Sequence, residues 1–226
     1  MPEDRRSNQM QQPKANVDLQ RADVLDAAAH LFAKKGFHAT GMRELAARLQ
    51  IKAGSLYYHI QSKDQLLNEI CEIGMQRLSS NIDQAIAANS SLPDIIRSIV
   101  VGHAELIKDY GSYLDCYQNE YIHLAADVRE RMRLRLVAFH HEIDGVFRRA
   151  IANAETRPDL VIRDARLAVI SILQQLSRLA PEHTISNLER TAAGLTEILI
   201  YGLARQQSSQ PSGAAACPAA APTRSR

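Results

Sequence analysis

"KAGSLYYHIQSKDQLL", residues 52–67, sets Tyr57, Tyr58 and His59 side by side and follows them with Ser62 and Lys63. Consecutive helical residues point about 100° apart, so these side chains cannot all enter one core. Part of the group must face something outside the fold. The surroundings suggest what it is. Between Lys34 and Lys63 stand six basic residues (Lys34, Lys35, Arg43, Arg48, Lys52, Lys63) against one acid, Glu44, in a chain whose net charge is only +2. A basic patch on a near-neutral protein is the electrostatic footprint of a polyanion. A solvated helical face would give the same count, so charge alone leaves both readings open.

The composition, 46% apolar, 5% aromatic and without Trp, is rich in helix formers and nearly free of strand alternation or hairpin dipeptides. An all-α protein is expected. The three cysteines (Cys71, Cys116, Cys217) form no Cys-x-x-Cys pair, so neither a disulfide framework nor a zinc site is indicated. "MPEDRRSNQMQQPKAN" at the start lacks a signal-peptide core, and no window approaches the ~18 apolar residues needed to cross a bilayer. A cytoplasmic protein with no membrane partner is the expectation.

Residues 1–16 read as a disordered arm and 206–226, "QQSSQPSGAAACPAAAPTRSR", as a disordered tail. Between them lies a small unit, 17–62, and a larger one, 63–205, joined by a connecting helix over 63–79. Asp18 can cap a first helix that ends at Gly36. Thr40 opens a short second helix to Leu49, and a tight turn at 50–52 leads to a third carrying Leu56 and Tyr57. Ser62-x-x-Gln65 is a capping box for the fourth. Further on, periodicity predicts helices from Pro93 to about Tyr110, where Gly111 breaks the run, then from Tyr113 to about Leu124. Others follow over about 126–154, 161–179 and 187–205.

Two short helices joined by a short turn form a helix-turn-helix, whose second member lies in the major groove of DNA. Tyr57, Tyr58, His59 and Lys63 can all donate to phosphates, and the small residues before them let the helix end approach base edges. Tyr57 also suits a core position with its ring packed and its hydroxyl outward.

With these residues in view, the chain resembles the TetR family of bacterial regulators over about residues 21–70. The match runs from "VLDAAAHLFAKKGFHAT" through "MRELAARL" to "GSLYYHIQSKDQLL", whose S-L-Y-Y-H-x-x-S-K-x-x-L is the family's most specific signature. The resemblance implies an N-terminal three-helix DNA-binding domain followed by a larger helical domain for ligand binding and dimerisation. Carried over by position, it makes Arg43, Lys52, Ala53 and Ser55 base or backbone contacts. Tyr57, Tyr58, His59 and Lys63 become phosphate contacts, and Thr40 a helix cap that also faces phosphate. Arg48 reads as solvated. Gln50 stands where the family usually has Gly, so it must adopt a left-handed conformation costing about 1 kcal/mol, or the turn differs. Lys52 replaces a small hydroxyl residue, Ile60 an aromatic, and Gly41 weakens the second helix.

In the larger unit, Tyr113, Tyr117 and Tyr121 fall at i, i+4 and i+8, with His103, His140 and Gln174 on facing helices. They would line a pocket for a small, mainly hydrophobic effector. The same spacing suits core tyrosines with hydroxyls at the edge. His140 and His141 are adjacent and cannot make the usual i, i+4 metal pair, so no metal or cofactor is expected. "CYQNEYIHLAADVRERMRLRL" is loosely similar to family members that respond to lipid-derived or acyl-thioester ligands.

The apolar helices 161–179 and 187–205 are expected to pair across a two-fold axis. That places two reading heads on a near-palindromic operator. The resemblance implies a homodimeric repressor released by its effector. The competing reading is an architectural or division-control DNA-binding protein with no small ligand. No phosphate loop, nucleophile motif or metal cluster speaks for an enzyme.

Overall fold

The computed structural model describes residues 20–182 and 184–204, and for His59 and Glu182 the backbone only. The arm 1–16, the cap at Asp18 and the tail 206–226 lie outside the described residues. Within them the chain is all-α. It runs α1 Arg21–Lys35, α2 Met42–Arg48, α3 Ala53–His59, α4 Lys63–Ala88 and α5 Leu92–Asn119. A 3-10 turn Tyr121–His123 leads to α6 Ala126–Ala152, α7 Ile162–Leu179, a second 3-10 turn Ala180–Glu182, and α8 Ile185–Leu203.

Local chemistry explains most boundaries. The residue before α1 is Gln20, whose backbone N–H donates to Asp23 Oδ2 at 2.8 Å. Gly36 closes α1 with φ +88°, and its N–H donates to the Phe32 carbonyl. Ser62 caps α4 by accepting from the Gln65 N–H at 3.1 Å, while Gln65 Oε1 returns the bond to the N–H of Gln61 rather than Ser62. Ser91 caps α5, with Pro93 in its first turn.

The turn between α2 and α3 is closed by Gln50 N–H to Ala47 O (3.1 Å) and Ile51 N–H to Ala46 O (3.0 Å). This crossed pair is the Schellman arrangement, and it requires a left-handed residue at Gln50, which sits at φ +57°. The strained alternative of the two expected for Gln50 is therefore the one adopted.

Gly111 does not break α5, which continues for 28 residues to Asn119. A glycine inside a helix costs about 1 kcal/mol. The buried face of Ile95, Ile96, Ile99, Val100, Ala104 and Leu114 outweighs that. α5 packs most extensively against α4 and also meets α1, α7 and α8, so it is the central helix. At the α4–α5 crossing, a Cβ on Gly74 would stand 2.8 Å from the Tyr113 carbonyl oxygen, closer than packing allows.

Gln50→Gly, which removes the Cβ from a left-handed residue, should raise unfolding free energy in urea by about 0.5–1 kcal/mol with an unchanged slope. A loss of stability would show that the Gln50 side chain has a holding role of its own.

Candidate nucleic-acid interface and effector cavity

α3 divides its residues cleanly. Leu56 and the following Ile60 are buried, while Tyr57 is 56% exposed and Tyr58 91% exposed. The core alternative for Tyr57 is thereby set aside. Arg43 on α2 and Lys52 before α3 are exposed; Ala53 and Ser55 are half-buried at the start of α3. His59 ends α3. The lone acid of the patch, Glu44, is paired with Lys35. Among the described residues Lys34, Arg43, Arg48 and Lys52 make no ion pair. The cationic field reaches His30, whose pKa is lowered first by burial and then by Arg48 and Lys34.

Two expected contacts turn inward. Thr40 is buried, and its hydroxyl donates to the Gly36 carbonyl at 2.9 Å and lies 3.3 Å from that of Leu31. It does not face a phosphate, and the residue that precedes α2 is Gly41. Lys63 Nζ donates to the carbonyls of Phe37 (2.8 Å) and Thr40 (3.1 Å) and rests 4.3 Å from the centre of the Phe37 ring. Its ammonium holds the loop between α1 and α2, with at most one N–H left over.

In the larger part of the chain, α4, α5, α6 and α7 border a half-open cavity of about 430 Å³. His103, Tyr117, Tyr121, His140 and Gln174 all line it, with Met75, Leu78, Leu136, Phe139, Ile170 and Leu173 supplying an apolar wall. Tyr113 does not join them. It is buried against α1, where its hydroxyl donates to Asp26 Oδ1 at 2.5 Å. A spacing of i, i+4, i+8 drifts around the helix, and Tyr121 already lies beyond the end of α5. The sequence reading missed Gln118 and Ser171 as liners; single polar residues on a helix carry no pattern. A larger hollow of about 580 Å³ on Glu69, Glu72, Gln76 and Arg135 is more open and carries charged side chains, unlike an apolar ligand site.

His103 is fully buried. Its Nε2 lies 3.0 Å from Ser177 Oγ, which also receives Gln118 Nε2 at 3.4 Å. Burial pushes the His103 pKa down to about 4, against a smaller opposing influence of the Leu173 backbone, although Nδ1 closes no well-formed hydrogen bond. Burial, then Arg166, lowers His140, and burial raises Tyr117 to about 12.

A short turn links cavity and reading head. Tyr121 lines the cavity, and next to it Glu120 Oε2 accepts the Phe37 N–H at 3.2 Å. His123 Nδ1 lies 3.1 Å from His38 Nε2, and its ring stacks on Phe37 at 6.0 Å. Phe37 and His38 belong to the loop that Lys63 holds.

A family model, bacterial regulatory proteins of the tetR family, matches residues 24–70. The chain is 33% identical over 109 residues to the HTH-type transcriptional repressor KstR2 of Rhodococcus jostii, covering 48% of this chain and 53% of that one. It thus spans about half the length of the curated relatives it matches. The structure of ketosteroid transcriptional regulator KstR2 of Mycobacterium tuberculosis superposes with a TM-score of 0.73 at 20% identity, covering 84% and 98% of the two chains. That of AibR in complex with isovaleryl coenzyme A and operator DNA gives 0.67 at 20% identity, covering 80% and 97%. At these identities the two structures establish the shared fold.

Lys63→Ala should lower unfolding free energy by roughly 1–3 kcal/mol, because it strips the donor from two carbonyls. Unchanged stability in urea together with weakened DNA binding would instead return Lys63 to the phosphate backbone.

Proposed function

Because the chain belongs to the TetR family of DNA-binding transcriptional regulators, not to an enzyme family, we propose that it is a cytoplasmic homodimeric repressor released from a near-palindromic operator by a small, mainly hydrophobic effector. The observation that carries the DNA-binding half is the outward pair Tyr57 and Tyr58, flanked by the unpaired cations Arg43 and Lys52. Aromatic hydroxyls and cations on one helix end suit phosphates, and the small residues Ala53 and Ser55 leave room for base edges. No described helix is long and apolar enough to cross a membrane.

The effector half rests on the cavity. A protein that only organised DNA would have no use for an apolar chamber whose wall includes Tyr121, next to the turn that grips Phe37 and His38. An occupant that shifts Tyr121 also shifts Glu120 and His123, and with them the loop behind α2. Release then follows as a population shift between head spacings. An acyl thioester or other lipid-derived molecule suits the apolar wall.

The dimer is assigned to α7 and α8. Ile198 is 72% exposed and Tyr201 84% exposed on α8. Gly194 and Gly202 leave open space where another helix can approach. A two-fold pair sets the heads about one DNA turn, roughly 34 Å, apart.

Selection from a random DNA library tests this reading. Wild-type protein should return inverted repeats, whereas Ile198→Arg with Tyr201→Arg should be monomeric by light scattering and return none. Asymmetric sites from the wild type, or a double variant that stays dimeric, would contradict the assigned interface.

A further inference from the structure

The side chains that line the cavity have a property that narrows the effector further. They include five polar groups besides the two tyrosines, namely His103, His140, Gln118, Ser171, Gln174, and the rest are apolar; there is no Asp, Glu, Lys or Arg. We propose that the enclosed part of the effector is electrically neutral: an ester, thioester, ketone or alcohol of mainly apolar body, and not a free carboxylic acid. This rests on the reading of the cavity as the effector site.

The argument is one of compensation. An ionised carboxylate taken out of water needs a cation or several strong donors, and without them its burial is prohibitive. The two histidines do not supply the cation. His103 is completely buried and already engaged with Ser177. Its pKa, down at about 4, keeps it neutral, and His140 is shifted in the same direction. Behind His140, Arg166 donates to Asp144 Oδ2 at 2.6 Å, so this guanidinium is matched by a carboxylate, and neither residue lines the cavity.

What the wall offers is neutral hydrogen bonding. Amides of Gln118 and Gln174 and the Ser171 hydroxyl can each donate to a carbonyl or accept from a hydroxyl. Gln118 sits with Ser177 and His103 in one cluster between α5 and α7, while Ser171 and Gln174 are exposed at the cavity's lip on α7. A ligand carbonyl at this side and an apolar body along Leu136, Phe139 and Ile170 would satisfy both kinds of wall. An acyl thioester meets the condition, since its thioester is neutral and a charged tail can remain outside.

Matched pairs decide the question. Full-length protein is titrated calorimetrically at pH 7.5 with decanoate and methyl decanoate, and with naphthylacetate and its methyl ester. The expected result is that at least one ester binds, and binds at least 100-fold more tightly than its acid. Gln174→Arg, an exposed substitution that places a cation at the lip, should restore binding of the corresponding acid. An acid that binds wild type as tightly as its ester would overturn the neutral-ligand inference while leaving the effector reading intact. Absence of binding by all four compounds to folded protein would overturn the inference and count against the effector reading of the cavity as well.

Discussion

The α4–α5 crossing is the contact on which the other features depend. Gly74 lets the two backbones approach so closely that even a methyl group would meet the Tyr113 carbonyl. A few turns away, Asn81 Nδ2 donates to the Ile99 carbonyl and its side chain fills the space beside Gly102. Along α4 the same rigid helix carries Lys63 at its start and Met75 and Leu78 in the cavity wall. α5 carries His103 and Tyr117 and runs on to Glu120. The distance between the N-terminal three-helix unit and the cavity is therefore set by two helices locked at one crossing, and close packing transmits small shifts rather than absorbing them.

The charges are divided to match. The cations around α2 and α3 stand in solvent with few acidic partners, where they can act on a polyanion at long range. The chamber has no charged side chain in its wall, and burial shifts His103, His140 and Tyr117 each toward its neutral form. Between these regions lies a polar joint of Glu120, Phe37, His38, His123 and Lys63. Its hydrogen bonds are directional, so in the proposed mechanism a displaced Tyr121 would change geometry at the loop rather than merely loosen it.

Patterns confined to a few residues were legible in the sequence. The Ser62 cap and the burial of Leu56 match the reading, and the turn at Gln50 takes one of the two forms left open there. The general position of the chamber was legible too, because His103, Tyr117, Tyr121, His140 and Gln174 converge as expected. What escaped depends on long-range partners. Lys63 reaches a carbonyl 26 residues away, and Tyr113 reaches an aspartate 87 residues away. Neither partner leaves a periodic trace. Gly111 misled for a related reason, since its local cost is overridden by the packing of α5 on five other helices.

Fluorescence anisotropy across a salt series, with DNA from upstream of the protein's own coding region and a scrambled duplex of equal composition, tests the DNA-reading claim most directly. The account predicts tighter binding to the native sequence, a steep fall in affinity with salt, and a slope shallower by about one for Arg43→Ala. Equal affinity for the scrambled duplex, or no binding by folded protein, would contradict it.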